Sequence, residues 1–397
     1  MNAPVRRLWL AVALGYAGLG ATLQLLPSHL EDRWGLIGPA VPVLVSAAFL
    51  ATAAVRRVAG RMADNGRAWQ VAWAGALLTV LGAVVQWAAP SVPVLALGRL
   101  AMGAGEGLLF SGALPWVLAA LPPGRRGRGA GWFGLSMWVG LAVGPAATAW
   151  LGSMRLGWCV AVGAPAASLA LLTTVRRDRV HAPRPGRAVS ARFMTSPRSQ
   201  VPGLYLGLCA YGYGTVIGLL AVHTRESGVA SDASLAVLAA SFLVVRAAGS
   251  PAVDRFGAAR MAAVLAVVEA IGLAMLVSVG DVVGVLVAAG LVGTGVGLAY
   301  PCAVALTLNG HSRGSSSGTR SGPADRAGEA VGTTTSWWDL GLLAAGLGGG
   351  ALVLAWGPAS AFATAAVMAA AAGVVALLHT RVHAATCARF RRSGDLP

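Results

Sequence analysis

Long apolar stretches dominate the chain, and short polar segments rich in arginine, proline or glycine separate them. Each stretch holds about 20 residues, the length of an α-helix that crosses the hydrocarbon core of a bilayer. The pattern therefore predicts an all-α integral membrane protein with twelve transmembrane helices. The predicted spans lie near residues 8–27, 37–55, 69–89, 93–120, 129–151, 156–175, 201–222, 232–250, 259–279, 282–308, 329–353 and 358–379.

Arginines are distributed unevenly among the loops that join these spans, and the chain contains no lysine. They gather in alternate loops, at residues 56–67, 125–128, 176–198 and 381–392. The loops that alternate with these, on the opposite side of the membrane, carry only Arg33, Arg155 and Arg225. Because positive loops stay in the cytoplasm, we predict a multi-pass protein of the bacterial inner membrane with both termini cytoplasmic.

Two polar segments divide the chain. Residues 176–200 are rich in arginine and proline and have no apolar face, which predicts a cytoplasmic linker. Residues 309–325 form a Gly/Ser-rich insertion to which we assign no chemistry. The predicted organisation is an N-terminal six-helix bundle at 1–175, the linker at 176–200, a C-terminal six-helix bundle at 201–380 and a cytoplasmic tail at 381–397.

An internal repeat relates the two halves. The pattern Arg56-x-x-x-Gly60-x-x-x-Asp64 returns later in the chain as Arg246-x-x-x-Ser250-x-x-x-Asp254. The alignment that pairs Asp64 with Asp254, which we call the repeat register, also pairs the glycine-rich segments 103–107 and 293–297. Two independent matches in one register indicate duplication of a six-helix unit.

These motifs resemble those of the major facilitator superfamily, whose members are two pseudo-symmetric six-helix bundles joined by a cytoplasmic linker. Its loop between the second and third helices reads Gly-x-x-x-Asp-Arg-x-Gly-Arg. The resemblance implies gating loops that latch the cytoplasmic side, and the alternative is a set of solvated positive charges. The residues assigned to these loops are Arg56, Gly60, Asp64, Gly66, Arg67, Arg246, Asp254, Arg255 and Gly257. The first copy is one residue short and has Asn65 after its acid.

Two further segments are similar to motifs of this superfamily. Span four contains Arg99 followed by a Gly-x-Gly element and Glu106, which resembles the motif with a membrane-buried arginine. Span five contains Gly140, Gly144 and Pro145, which resemble the motif of the exporting branches. Small residues let helices approach closely and proline permits bending, so ordinary helix packing is the alternative.

Four ionisable residues fall well inside predicted spans, and each charge at a helix centre costs roughly 2.5–3.5 kcal/mol. They are Arg99, Glu106, Glu269 and Asp339. Arg99 and Glu106 share one helix face about 10 Å apart, so the cation and the lost hydration act on the carboxyl in opposite senses. We interpret Glu106 as a proton or cation site, with a purely structural charge as the alternative, and the resemblance implicates Arg99 in proton coupling or substrate binding. Asp339 is either a second protonatable group or an interhelical hydrogen-bond anchor. Glu269 has no polar companion at helical spacing, and we expect a structural or partly protonated role.

The resemblance also implies a substrate cavity lined mainly by the first, fourth, seventh and tenth helices. The candidate lining residues are Tyr16, Gln24, Tyr211, Tyr213, Tyr300 and Trp338. Each has packing or an interfacial position as its alternative.

Composition narrows the function. Hydrophobic residues make up 56% and charged residues 11% of the chain, which excludes an ordinary soluble domain. The net charge of +16 does not form the stripe expected for nucleic-acid binding. The four cysteines lack metal-site spacing, and no phosphate loop or catalytic cluster occurs, so we expect no cofactor, no metal and no enzyme activity.

The combined prediction is a monomeric secondary transporter in the lipid bilayer that exports small molecules in exchange for protons. Uptake by proton symport is the alternative that the same buried acids permit. A membrane sensor or enzyme is the alternative of another class.

Overall fold

The computed structural model describes residues 3–36, 40–119, 126–175, 197–226, 231–313 and 327–392. Within these ranges the chain is helical, with short connections between helices. The first half contains α1 (Ala3–Trp34), α2 (Ala40–Met62), α3 (Ala68–Ala88), α4 (Val92–Ala119), α5 (Arg126–Leu151) and α6 (Met154–Thr173). The second half contains α7 (Pro197–Glu226), α8 (Ser231–Phe256), α9 (Ala258–Ser278), α10 (Val282–Gly297), α11 (Ala299–Arg313), α12 (Ala327–Trp356) and α13 (Pro358–Arg392).

The helices are long enough to cross a membrane twelve times. Ten stretches of the described chain have the length and hydropathy of a membrane span. One of them, Val43–Ala88, holds both α2 and α3, and Ala233–Gly249 in α8 is apolar but shorter. Helices α10 and α11 together make one crossing. A helix satisfies its own backbone groups in lipid, so the predicted all-α fold of twelve helices is confirmed.

Large apolar side chains cover much of the outer surface, among them Leu97, Trp150, Val244 and Val283. A water-soluble protein rarely exposes apolar surface on this scale, whereas contact with lipid tails requires it. Many alanines and glycines face inward, where they let neighbouring helices approach each other.

The two halves share their close helix contacts in the repeat register. A Cβ atom built at Gly82 would lie 2.7 Å from the carbonyl oxygen of Gly98. At the equivalent Gly272 it would lie 2.8 Å from the carbonyl oxygen of Ala288. In the next pair of contacts, Gly103 abuts α2 and Gly293 abuts α8. The repeat seen in the sequence is therefore also a repeat of helix packing.

The turns that follow α2 and α8 differ by one residue. Gly66 has a φ of 85° and lies two residues after Asp64. Gly257 has a φ of 87° and lies three residues after Asp254. Both positions favour glycine because other L-residues are strained there. In the first half the shorter turn is a kink between α2 and α3, in which Asn65 and Gly66 have non-helical φ and ψ angles.

The predicted single span at 282–308 is interrupted. Helix α10 ends at Gly297, Leu298 has a φ of −109°, and α11 begins at Ala299. Pro301 has no backbone N–H to donate to the carbonyl of Gly297, four residues earlier, so the ladder is broken here. Arg246 donates from Nη1 to that carbonyl oxygen at 3.5 Å.

Some boundaries differ from the predicted organisation. Helix α7 starts at Pro197, inside the predicted linker, while residues 176–196 lie outside the described ranges. Helix α13 continues to Arg392, so most of the predicted tail is a helical extension. Helix α11 extends to Arg313, into the predicted insertion, and residues 314–326 lie outside the description.

Candidate functional site

Helices α2 and α12 bring the two halves together around one buried ion pair. Arg56 donates from Nε and Nη2 to the two carboxylate oxygens of Asp339, with Nη2 at 3.2 Å from Oδ1. Both side chains are about 2–3% exposed. Two parallel bonds fix the geometry as well as the charge balance. Arg56, assigned from sequence to a gating loop, thus lies inside α2 and neutralises the predicted coupling residue Asp339.

The start of α12 is held by a second set of contacts that we call the latch, formed by Arg57, Asp64 and Glu329. The Asp64 carboxylate accepts a hydrogen bond from the backbone N–H of Glu329 at 2.8 Å. Arg57 Nε lies 3.3 Å from a carboxylate oxygen of Glu329. An acid at a helix N-terminus satisfies free N–H groups and the helix dipole. The latch therefore joins the end of α2 to the beginning of α12.

Beyond the latch, α12 continues in close contact with α2 over more than one helical turn. Ser336 donates from its hydroxyl to the carbonyl oxygen of Ala53 at 2.9 Å. A Cβ at Gly332 would lie 2.6 Å from the carbonyl oxygen of Arg56, so only glycine allows this approach. The halves are in direct backbone contact here.

The other residues assigned to gating loops lie apart from the latch contacts. Gly60 is buried within α2, and Arg67 is exposed at the start of α3. Arg255 is exposed with its guanidinium over the Phe256 ring at 5.5 Å. Asp254 lies on α8, and its side chain is outside the described part of the structure.

Two equivalent cation–π pairs meet at the boundary between the halves. The Arg56 guanidinium lies 5.6 Å from the centre of the Phe110 ring, and that of Arg246 lies 5.1 Å from the centre of the Tyr300 ring. Phe110 and Tyr300 are equivalent in the repeat register, as are the two arginines. The two rings pack edge to face at 6.3 Å. Equivalent residues of the two repeats are thus in direct contact at this pair of rings.

A second group of aromatic rings centres on Trp138 of α5. Its ring centre lies 4.5 Å from that of Phe242, 5.1 Å from that of Trp338 and 5.6 Å from that of Tyr213. The partners come from α8, α12 and α7. Edge-to-face and tilted packing of this kind contributes about 0.5–1.5 kcal/mol per pair. The cluster thus packs α5 of the N-terminal half against three helices of the C-terminal half.

Glu106 lies beside this centre without a partner for its carboxyl group. It is fully buried, and neither carboxyl oxygen has a hydrogen-bond partner within the described residues. The charges of Arg99, Arg56 and Asp339 all act on it. Tyr16 donates to its backbone carbonyl oxygen at 3.4 Å. The site therefore combines one unpaired acid with one paired acid.

Arg99 is buried on the same helix but points to other partners. Its Nε and Nη2 donate to the carbonyl oxygen of Val45 at 3.0 and 2.8 Å, and Nη1 donates to Thr22 Oγ1 at 2.7 Å. No hydrogen bond to Glu106 is present among these contacts. The guanidinium thus fastens α4 to α1 and α2 and acts on Glu106 only through its field.

The glycines of span five lie against the backbone of α1. A Cβ at Gly140 would lie 2.9 Å from the backbone nitrogen of Ala17. At Gly144 it would lie 2.6 Å from the backbone nitrogen of Ala21. Pro145 is close to α1 as well, since a Cβ built at Gly20 would lie 2.8 Å from the proline ring. This motif sets the distance between α1 and α5.

The candidate cavity residues do not form one group. Tyr16, Tyr213, Tyr300 and Trp338 belong to the two aromatic groups at the boundary between the halves. Tyr211 instead lies near α12, where a Cβ at Gly348 would be 3.4 Å from its hydroxyl oxygen. Gln24 is exposed on α1.

Sequence reasoning missed several residues of the site. Phe110 could have been found, because the repeat register pairs it with Tyr300, which was already a candidate. Glu329 gives no comparable signal, since it stands alone after the insertion and its partners are on other segments. No cluster of three potential metal-ligating side chains occurs among the described residues.

Comparison with known proteins relates this architecture to transporters. A family model described as Major Facilitator Superfamily matches residues 8–322. The chain is 31% identical over 378 residues to an uncharacterized MFS-type transporter of Burkholderia mallei, with 90% of this chain and 87% of that protein covered.

Solved structures share the fold at lower sequence identity. The human organic anion transporter MFSD10 (TETRAN) has a TM-score of 0.77 at 15% identity, covering 95% of this chain and 100% of that one. A variant of the E. coli fucose:proton symporter FucP has a TM-score of 0.67 at 14% identity, covering 95% and 98%.

Proposed function

This chain belongs to the major facilitator superfamily and is a multi-pass membrane transporter of small molecules, and we propose that it exports its substrate in exchange for protons. The observation that carries the proposal is Glu106, a buried carboxyl group with no hydrogen-bond partner in the described chain, beside the paired Arg56 and Asp339. Proton binding to Glu106 is the step that we assign to coupling.

The chemistry of coupling follows from the cost of burying charge. An ionised carboxylate at Glu106 would have no hydrogen-bond donor among the described residues and only the fields of Arg99 and Arg56 to offset its lost hydration. A proton removes that charge. Loss of the proton therefore favours a different arrangement of the halves, in which water or a cation reaches the carboxylate. This linkage is the requirement for an exchange mechanism.

The latch sets which side of the membrane is closed. Arginine-rich loops are expected in the cytoplasm, and the latch joins α2 to α12 at the end of the molecule that carries Arg57, Arg61 and Arg67. In this orientation the described conformation is closed to the cytoplasm. Rocking of the halves would separate Asp64 from Glu329 and break the ion pair between α2 and α12, which completes an alternating-access cycle.

Export is the direction implied by the resemblance of Gly140, Gly144 and Pro145 to the motif of the exporting branches. Uptake with protons is the second candidate, because one structure with the same fold is that of a fucose:proton symporter. The two candidates differ in the sign of the pH gradient that drives substrate accumulation.

Transport by purified protein in proteoliposomes tests coupling at Glu106. The substrate is the compound that gives the largest ligand-induced thermal shift in a screen of small molecules. We expect Glu106→Gln to reduce gradient-driven accumulation by about 5–150-fold, since coupling free energies are typically about 1–3 kcal/mol. Counterflow without a gradient is expected to persist, because the substrate contacts remain.

The matched control is Glu31→Gln, which changes an exposed acid on α1. Undiminished response to the pH gradient in Glu106→Gln removes Glu106 from the coupling mechanism. Accumulation driven by a proton gradient of the opposite sign identifies the symporter.

The latch predicts a change in accessibility. Asp64→Asn removes the charge that faces the N-terminus of α12, a contribution of about 0.3–1 kcal/mol, so the latch should open about two- to fivefold more often. The measurement is alkylation, by a membrane-impermeant maleimide, of the thiol introduced by Ala330→Cys, at a buried position next to Glu329. The control is Asp32→Asn, which changes an exposed acid near the C-terminal end of α1. An unchanged rate in Asp64→Asn shows that Asp64 does not hold this side closed.

A further inference from the structure

A second unpaired acid lies inside the C-terminal half, away from the boundary between the halves. Glu269 of α9 is fully buried, and within the described ranges neither carboxyl oxygen accepts a hydrogen bond from a nitrogen or oxygen donor, so that the thiol of Cys209 is its one polar contact. In the repeat register, the equivalent position of the first half holds Thr79. Its hydroxyl donates to the carbonyl oxygen of Gly75 at 2.9 Å. The shared fold therefore needs only a small, self-satisfied side chain at this place.

Two glycines hold the Glu269 side chain between helices. A Cβ at Gly295 of α10 would lie 2.6 Å from both the Cβ and the backbone nitrogen of Glu269. A Cβ at Gly212 of α7 would lie 3.4 Å from the carboxyl carbon. In the first half, Gly105 is the counterpart of Gly295 and packs on Thr79 in the same way. We call the space between Gly295 and Gly212 that holds the carboxyl group the slot. The close approach of Gly295 is common to both repeats, whereas the carboxyl group is found only in the second half.

The described polar groups that face this carboxyl carry no positive charge. From α7 they are Tyr205 and Cys209, and from α11 the thiol of Cys302 lies near the same cluster. Helix α10 and residues 358–378 of α13 contain no ionisable side chain, and the buried Arg246 of α8 is directed to the carbonyl oxygen of Gly297 and the Tyr300 ring. An ionised Glu269 would therefore have a thiol as its strongest neighbour and no counter-charge, which costs several kcal/mol.

The break in the tenth crossing lies about one turn from the contact between α10 and the backbone of Glu269. Gly295 touches α9 at Glu269, and the chain leaves helical geometry at Leu298, three residues later. The missing N–H of Pro301 leaves α10 and α11 without a complete ladder at this point. Bending here moves Gly295 relative to Glu269 and is the motion that would admit water to the slot.

We propose that Glu269 is a second proton-binding site, which holds its proton in the described conformation and releases it when the tenth crossing bends at Leu298. The ligand is a proton, and the site lies within the C-terminal half. Proton binding at Glu269 requires neither coupling at Glu106 nor export.

Hydrogen exchange of the full-length protein in nanodiscs tests this linkage. If bending releases one proton, the opening equilibrium of peptides spanning residues 293–302 rises about tenfold per pH unit after correction for intrinsic exchange. We expect that rise in the wild type and in Thr79→Val, the matched change in the first half. We expect a flat response in Glu269→Gln, which resembles the neutral acid in shape and charge.

Infrared spectra supply a second readout. The band of a protonated carboxyl group should be present in the wild type at neutral pH and lose intensity in Glu269→Gln. The same pH response in wild type and Glu269→Gln, or an unchanged carboxyl band, overturns proton binding at this residue. A wild type without any pH response at residues 293–302 overturns it even if the variant does not fold. Neither readout depends on transport, so a failure of coupling at Glu106 would leave both unaffected.

Discussion

Asp339→Asn is expected to destabilise the protein by about 3–5 kcal/mol, because it leaves the Arg56 guanidinium buried without its counter-charge. Both side chains are almost completely buried, and the pair connects the two halves. The loss should appear as a large decrease in thermal unfolding temperature of the purified protein. The latch should also open more often, because the ion pair and the latch both join α2 to α12.

A double-mutant cycle separates the pair from its members. Arg56→Gln combined with Asp339→Asn restores two neutral groups that can still hydrogen-bond, so the double variant should be more stable than either single variant. Arg57→Gln is the control, because the Arg57 side chain is itself half exposed and its ion pair is expected to contribute about 0–1 kcal/mol. Additive losses in the cycle would mean that Arg56 and Asp339 do not stabilise each other.

The second large effect is expected from Gly144→Ala. The added methyl group would lie 2.6 Å from the backbone nitrogen of Ala21 and 3.0 Å from the backbone carbonyl carbon of Gly20. Backbone atoms cannot turn away as a flexible side chain can, so α1 and α5 must separate. We expect a loss of about 1–3 kcal/mol, the usual range for overpacking, together with reduced transport.

Gly163→Ala on α6 is the matched control for this substitution. No atom lies within 4 Å of its Cβ position, and the residue is exposed. It should leave the unfolding temperature unchanged or raise it slightly, because alanine favours helix. Equal unfolding temperatures for the Gly144→Ala and Gly163→Ala variants would show that the α1–α5 contact tolerates a wider spacing.

Much of the fold follows from local sequence. Spans of about 20 apolar residues predict the helices, and the repeat register predicts which helices pack alike, as Gly103 and Gly293 show. The break at Leu298 has a local cause in Pro301, yet a window of apolar residues does not distinguish it from a continuous helix. Hydropathy measures how apolar a segment is and carries no information on its hydrogen-bond ladder.

The partners at the candidate site are harder to derive. Arg99 and Glu106 share a helix face, but the guanidinium bonds to Thr22 and a carbonyl oxygen of α2, which no helical spacing indicates. Arg56 and Asp339 are 283 residues apart, and their pairing depends on how the two halves dock. Sequence patterns place residues on faces, whereas docking decides which faces meet.

The interrupted tenth crossing distinguishes the two halves. Its counterpart α4 runs as one helix from Val92 to Ala119, although it contains Pro115, and Arg99 fastens it to two neighbouring helices. The C-terminal half leaves helical geometry at Leu298 in the equivalent crossing. After duplication of one six-helix unit, the two copies have therefore diverged in the backbone of this crossing as well as in its side chains.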